Sequence, residues 1–135
     1  MSMVTYRAFI NSLLTMAPTG ITLLSQSPAS IKTTFPVAWP MIPDGKSALV
    51  TEGLVDYSGT RQVEIMVAVQ PIAQNRQAQN YDATIAAMDN LDAALKTLDA
   101  TLPAYGLRWE MRGGVVTVAG VDHWGFVCVV IGSDV

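Results

Sequence analysis

The chain predicts an α+β domain: a mainly antiparallel sheet of about five to six strands packed with two α-helices. Three observations carry this. Two segments place apolar residues at helical spacing, one near the N-terminus and one in the second half. Between and after them, several runs alternate apolar and polar residues with the two-residue period of a half-buried strand. The order is helix, strand, two strands, helix, three strands, which suits a sheet with helices laid on it. At 135 residues the chain fits one domain, spanning 1–135.

The first helix is set by Tyr6, Phe9, Ile10, Leu13 and Leu14, with Ser2 or Thr5 available as N-cap. Pro18 and Gly20 stop it, and Ile21 to Leu24 reads as a short strand. Residues 25 to 46 read as irregular and end in a Pro-Asp-Gly-Lys turn at 43 to 46. Within them lies FPVAWPMIP, residues 35 to 43. Pro36, Pro40 and Pro43 cannot donate to a ladder, yet the segment is too apolar for a plain surface loop. It is expected as an extended, ladder-poor arm. Its apolar residues are either a lid on the chain's own core or an anchor on a neighbour.

Ser47 to Tyr57 is read as a strand with Gly53 as a bulge, and Ser58-Gly59-Thr60 as a turn. Arg61 to Ile72 is the stronger strand, with Val63, Ile65, Val67 and Val69 on one face and Pro71 ending the pairing. The amide-rich linker AQNRQAQN leads to a helix capped near Asn80. Its apolar stripe is Tyr81, Ile85, Met88, Leu91, Leu95, Leu98 and Leu102. Pro103 and Gly106 end it. In the closing meander, Gly113-Gly114 reads as a two-residue hairpin that brings Trp109 opposite Val118. Gly120 to His123 makes the next turn. Trp124 to Ile131 is apolar on both faces, as for a covered central strand.

Charged residues make up only 14 % of the chain, against about 25 % in a typical soluble domain. Either partners cover much of the surface or Gln, Asn, Ser and Thr carry it. The net charge of −3 and pI near 4.8 exclude a basic stripe for gripping phosphates. The single cysteine, Cys128, excludes an internal disulfide and reads as a small buried hydrophobe. No run approaches the ~18 apolar residues of a spanning helix. The N-terminus does not read as a signal peptide, so synthesis in a host cytoplasm is expected.

No catalytic constellation emerges. His123 stands beside Asp122, but neighbours in a strand point opposite ways, and no nucleophile elbow accompanies them. SGT at 58 to 60 and RGG at 112 to 114 lack the spacing of a phosphate loop. Asp82, Asp89 and Asp92 share an edge of the second helix, where a solvated face is the favoured reading over a cation site. Arg108 and Arg112 alternate with Trp109 and so do not share its surface, against a nucleic-acid strand. Neither a metal nor a cofactor is expected, nor an enzyme.

Taken together, VTYRAFINSLL, FPVAWPMIP, RQVEIMVAVQ, YDATIAAMDNLDAALKTL and LRWEMRGGVVTVAGVDHWGFVCVVIG, in this order, resemble the tail terminator family of long-tailed bacteriophages. The resemblance spans nearly the whole chain. It implies a virion protein whose hexameric ring caps the tail tube, stops its polymerisation and joins the tail to the filled head. The implied partners are further copies of the chain, the tail tube protein, a head-completion or neck protein, and genomic DNA passing through the lumen without specific binding; no membrane is involved. On this reading Phe35, Val37, Trp39, Met41 and Ile42 are the subunit-interface candidates, and Asn75, Arg76 and Gln77 are candidate ring-contact loop residues. The alternatives are another neck, head-completion or tail adaptor, and a small ligand-binding domain using Asp122, His123 and Trp124.

Overall fold

A computed structural model describes residues 3–28, 35–41, 44–48, 58–72, 77–101 and 106–134. The elements are α1 (Met3–Leu13), β1 (Thr22–Leu23), β2 (Val37–Pro40), β3 (Asp44–Ala48), β4 (Ser58–Pro71), α2 (Gln77–Thr101), β5 (Arg108–Val118) and β6 (Val121–Asp134). They form the expected α+β fold. The strands make one sheet in the order β1-β2-β4-β6-β5, with β3 also on β4. β1 runs parallel to β2, and every other pair is antiparallel.

Val63, Ile65, Val67 and Val69 are buried on one face, as their two-residue spacing requires. Both helices pack there. Phe9 and Leu13 of α1 and Ala87, Leu91, Leu95 and Leu98 of α2 meet these four side chains together with Phe126, Cys128 and Val130 of β6. Gly132 lets the Phe9 ring lie directly on the strand, since a Cβ there would stand 2.7 Å from the ring. The opposite face holds a smaller cluster, Val37, Trp39, Ala68, Val116 and Val118, flanked by Leu24, Phe35 and Met66.

Four expectations are corrected. The proline-flanked segment is not a ladder-poor arm: Val37 to Pro40 form β2, inside the sheet between β1 and β4. A proline cannot donate but can accept, and the Pro36 carbonyl takes the Thr22 N–H at 2.9 Å. Pro40 closes the strand, and the Met41 N–H then reaches the Glu64 carbonyl at 2.8 Å. Asp44-Gly45-Lys46 lies in β3, and Ser58-Gly59-Thr60 opens β4, so neither is a turn. Residues 49–57, with Gly53, lie outside the described residues.

The third correction is the final hairpin. Gly113 and Gly114 lie within β5, and the turn is Ala119-Gly120, with φ of 49° and 79°. Trp109 and Met111 pack against the helix-side core, whereas Val116 and Val118 belong to the opposite cluster. In one continuous strand these odd and even positions must face opposite ways. The change of parity at the glycines, which suggests a turn, instead marks where β5 switches the face it buries. Two positive φ values define a type I′ turn, which disfavours alanine at the first position. Ala119→Gly is therefore expected to raise stability by about 0.5–1 kcal/mol in urea unfolding, through relief of the left-handed alanine.

The fourth concerns α2. It starts at Gln77, so Asn80 lies inside the helix rather than capping it, and its side chain is buried. Tyr81 and Ile85 stand outside the buried stripe, 66 % and 41 % exposed, while Ala87 takes a core position. β6 also departs from expectation in part: Phe126, Cys128 and Val130 are covered by helices, but Val127 and Ile131 on the other face are half-buried.

Candidate functional site: an apolar groove at the sheet edge

The exposed Tyr81 and Ile85 have a structural setting. With Asn80, Thr84 and Met88 they form one wall of a groove of about 360 Å³. Its floor is Gly113 and Gly114 of β5 and Trp124 and Gly125 of β6. Glycines shape this floor: a Cβ on Gly113 would touch the Met88 methyl at 3.6 Å, and one on Gly114 would meet nothing within 4 Å. The groove borders β5, which ends the sheet on this side. Val115, on the helix side of β5 next to Gly114, is 54 % exposed and extends the apolar surface. The buried Asn80 Nδ2 has no acceptor among the described residues.

Two aspartates hold this wall in place. Asp92 accepts the Trp109 indole N–H at 2.8 Å, and Asp99 accepts the Leu107 backbone N–H at 2.9 Å. Both tie α2 to the start of β5. Asp92 also pairs with Lys96 at 2.8 Å. The Lys96 hydrogen bond, and next that from Trp109, hold the Asp92 carboxyl below its ordinary range. A depressed folded value means the stabilisation is present above the unfolded carboxylate pKa of about 3.9 and is lost as pH falls through the lowered folded value. Asp92→Asn is therefore expected to flatten the acid side of the stability profile below about pH 4, measured by urea titrations at successive pH.

Asp82 and Asp89 are exposed on the outer side of the helix. They do not converge with Asp92, and among the described residues no group of three or more His, Cys, Asp or Glu could hold a metal ion. Cys128 is buried, and that burial pushes its thiol up to about 12, so it stays protonated at neutral pH.

Asp122, His123 and Trp124 do not converge either. His123 is fully buried; its Nδ1 lies 2.8 Å from the Val121 carbonyl, and its ring stacks on Phe35 at 4.6 Å. Asp122 is exposed and accepts the Thr117 hydroxyl at 2.8 Å. Trp124 alone lines the groove. Arg112 pairs with Glu110 at 3.2 Å on the face away from Trp109, as the alternation requires.

Of the interface candidates, Val37 and Trp39 are corrected. They are 0 % and 2 % exposed and belong to the chain's own core. Phe35 is half-buried against His123, and Met41 remains 45 % exposed. Ile42, Asn75 and Arg76 lie outside the described residues; Gln77 is the first residue of α2. The groove is absent from the sequence reading. Its signal is present there, because Tyr81 and Ile85 sit beside the Asn80-Ala87-Leu91 line rather than on it, but only the position of β5 shows which line faces inward.

No family model matches the chain, and no curated protein matches it. No helix among the described residues is long and apolar enough to cross a membrane.

Proposed function

We propose that the protein is a structural component of a long-tailed phage particle, a tail terminator. Its copies form a hexameric ring that caps the tail tube, ends its polymerisation and offers the surface joined by the head. The observation that carries this reading is the margin formed by β5 and α2. An 11-residue strand ends the sheet there, beside an apolar groove rimmed by exposed Tyr81, Ile85 and Val115. A subunit that must close into a ring needs such a one-sided margin, because rings use two different patches on each copy. The low charge content and the resemblance of the sequence segments to the tail terminator family support the same reading.

DNA passing through the lumen, the tail tube protein and a neck protein complete the proposed setting. Native mass spectrometry and negative-stain images of the purified protein with tail tubes test it. Six-fold rings seated on one tube end are the expected result. Protein that neither associates nor alters tube length would overturn the assignment. Binding at the head or along the neck alone would favour the adaptor reading.

A further inference from the structure

We infer that the α2–β5 groove receives helix α1 of a second copy of this chain, in a head-to-tail contact. This deepens the ring reading and rests on it for the closure into a ring. The two helices pack on one face of the sheet, but at different places. α1 borders β4, with Phe9 over Gly132 near the end of β6, while α2 is tied to β5, the last strand of the sheet. Each copy therefore carries the groove and α1 as two separate patches, which is what a heterologous contact requires.

The two patches are complementary in apolar character and charge. On α1, Arg7, Ile10, Asn11 and Leu14 recur at steps of three, one and three residues, along one helical stripe. The Leu14 N–H bonds to the Ile10 carbonyl at 2.9 Å, so the turn holding this stripe continues past Leu13. Arg7 and Asn11 are exposed, and Ile10 and Leu14 are half-buried. Arg7 is the one charged residue of α1. The groove offers apolar Tyr81, Ile85, Met88 and Trp124 to Ile10 and Leu14. Its helix carries exposed Asp82 and Asp89 close by, and among the residues of α2 only Lys96 answers four aspartates. Arg7 and Leu14 are seven residues apart, as are Asp82 and Asp89, so each pair spans about 10.5 Å of helix. The arginine beside the apolar stripe thus has a carboxylate within the same helical span as the apolar wall of the groove. Such charges contribute mainly to register and partner choice, and the apolar contact supplies most of the attraction.

Sedimentation velocity on the full chain tests the contact. Arg7→Glu blocks one patch and Ile85→Asp blocks the other; Tyr81→Ser serves as a second groove variant. All three positions are exposed, and circular dichroism checks that each variant is folded. Concentration-dependent association of the unaltered chain is expected, weakened about tenfold or more by each variant. An equimolar mixture of Arg7→Glu and Ile85→Asp is expected to form dimers that grow no further, because one intact groove and one intact α1 remain. Combining Arg7→Glu with Asp82→Arg and Asp89→Arg is expected to restore association. A mixture that stays monomeric, variants that associate like the unaltered chain, or an unaltered chain that is monomeric at its highest soluble concentration would overturn the inference. Six-fold rings on tubes that are unaffected by Arg7→Glu would reject this contact while leaving the ring reading standing. Head-to-tail dimers from a protein absent from tail ends would do the reverse.

Discussion

Gly125→Ala is expected to destabilise the fold by about 3 kcal/mol or more, at or beyond the upper end of ordinary overpacking. The reason is backbone geometry. β4 and β6 pair along their whole length, and their register shifts between Ala68 and Gln70, opposite Gly125 and Trp124. At this irregularity the two backbones approach so closely that a Cβ on Gly125 would collide with the Val67 carbonyl oxygen. A backbone atom in a central strand cannot swing aside like the end of a side chain, so the sheet itself must shift. Gly114, across the β5–β6 ladder from Gly125, supplies the control. Nothing stands within 4 Å of a Cβ built there, and Gly114→Ala is expected to change stability by no more than about 0.5 kcal/mol. Urea unfolding of the pair measures both. Equal stability of the two variants would mean that the approach at Val67 is not the constraint described.

Trp39→Ala is the second large effect, at about 3–5 kcal/mol of lost stability. For a 135-residue chain this corresponds to a fall of about 10–18 °C in Tm. Trp39 lies in β2 opposite Met66 and is 2 % exposed within the cluster of Val37, Ala68, Val116 and Val118. As a surface anchor the same residue would leave the monomer's stability unchanged and weaken only association. Burial reverses that expectation: the truncation opens a cavity in the monomer first. Unchanged thermal unfolding together with lost ring formation would return Trp39 to the interface.

The strongly periodic parts of the fold were legible in the sequence. Val63, Ile65, Val67 and Val69 place β4 and its buried face without help from any other segment. Leu91, Leu95 and Leu98 do the same for α2. What was not legible depended on pairing partners. Pro36 and Pro40 forbid donation at two positions, but whether a neighbour donates to the Pro36 carbonyl instead depends on Thr22, distant in sequence. The change of parity at Gly113-Gly114 fits a turn and a change of buried face equally well. Only the long pairing of β5 with β6 decides it, from Arg108 opposite Ile131 to Val118 opposite Val121. The groove was hidden for a related reason: Tyr81 and Ile85 match the apolar spacing of the core stripe, and it is the rotation of α2 fixed by Asp92 and Asp99 that turns them outward.

Those two aspartates also connect the fold to the proposed role. They tie α2 to Leu107 and Trp109 at the start of β5, so the helix that carries the groove wall is joined to the terminal strand of the sheet. A ring contact formed on that margin would not have to order it first, which lowers the cost of association.

Placing this chain in an image reconstruction of intact tails tests the central claim most directly. The account predicts a six-fold ring at the head-proximal end of the tube, with α1 of each copy seated in the α2–β5 groove of the next. Density for the chain along the tube, at its distal end or nowhere in the particle would contradict it.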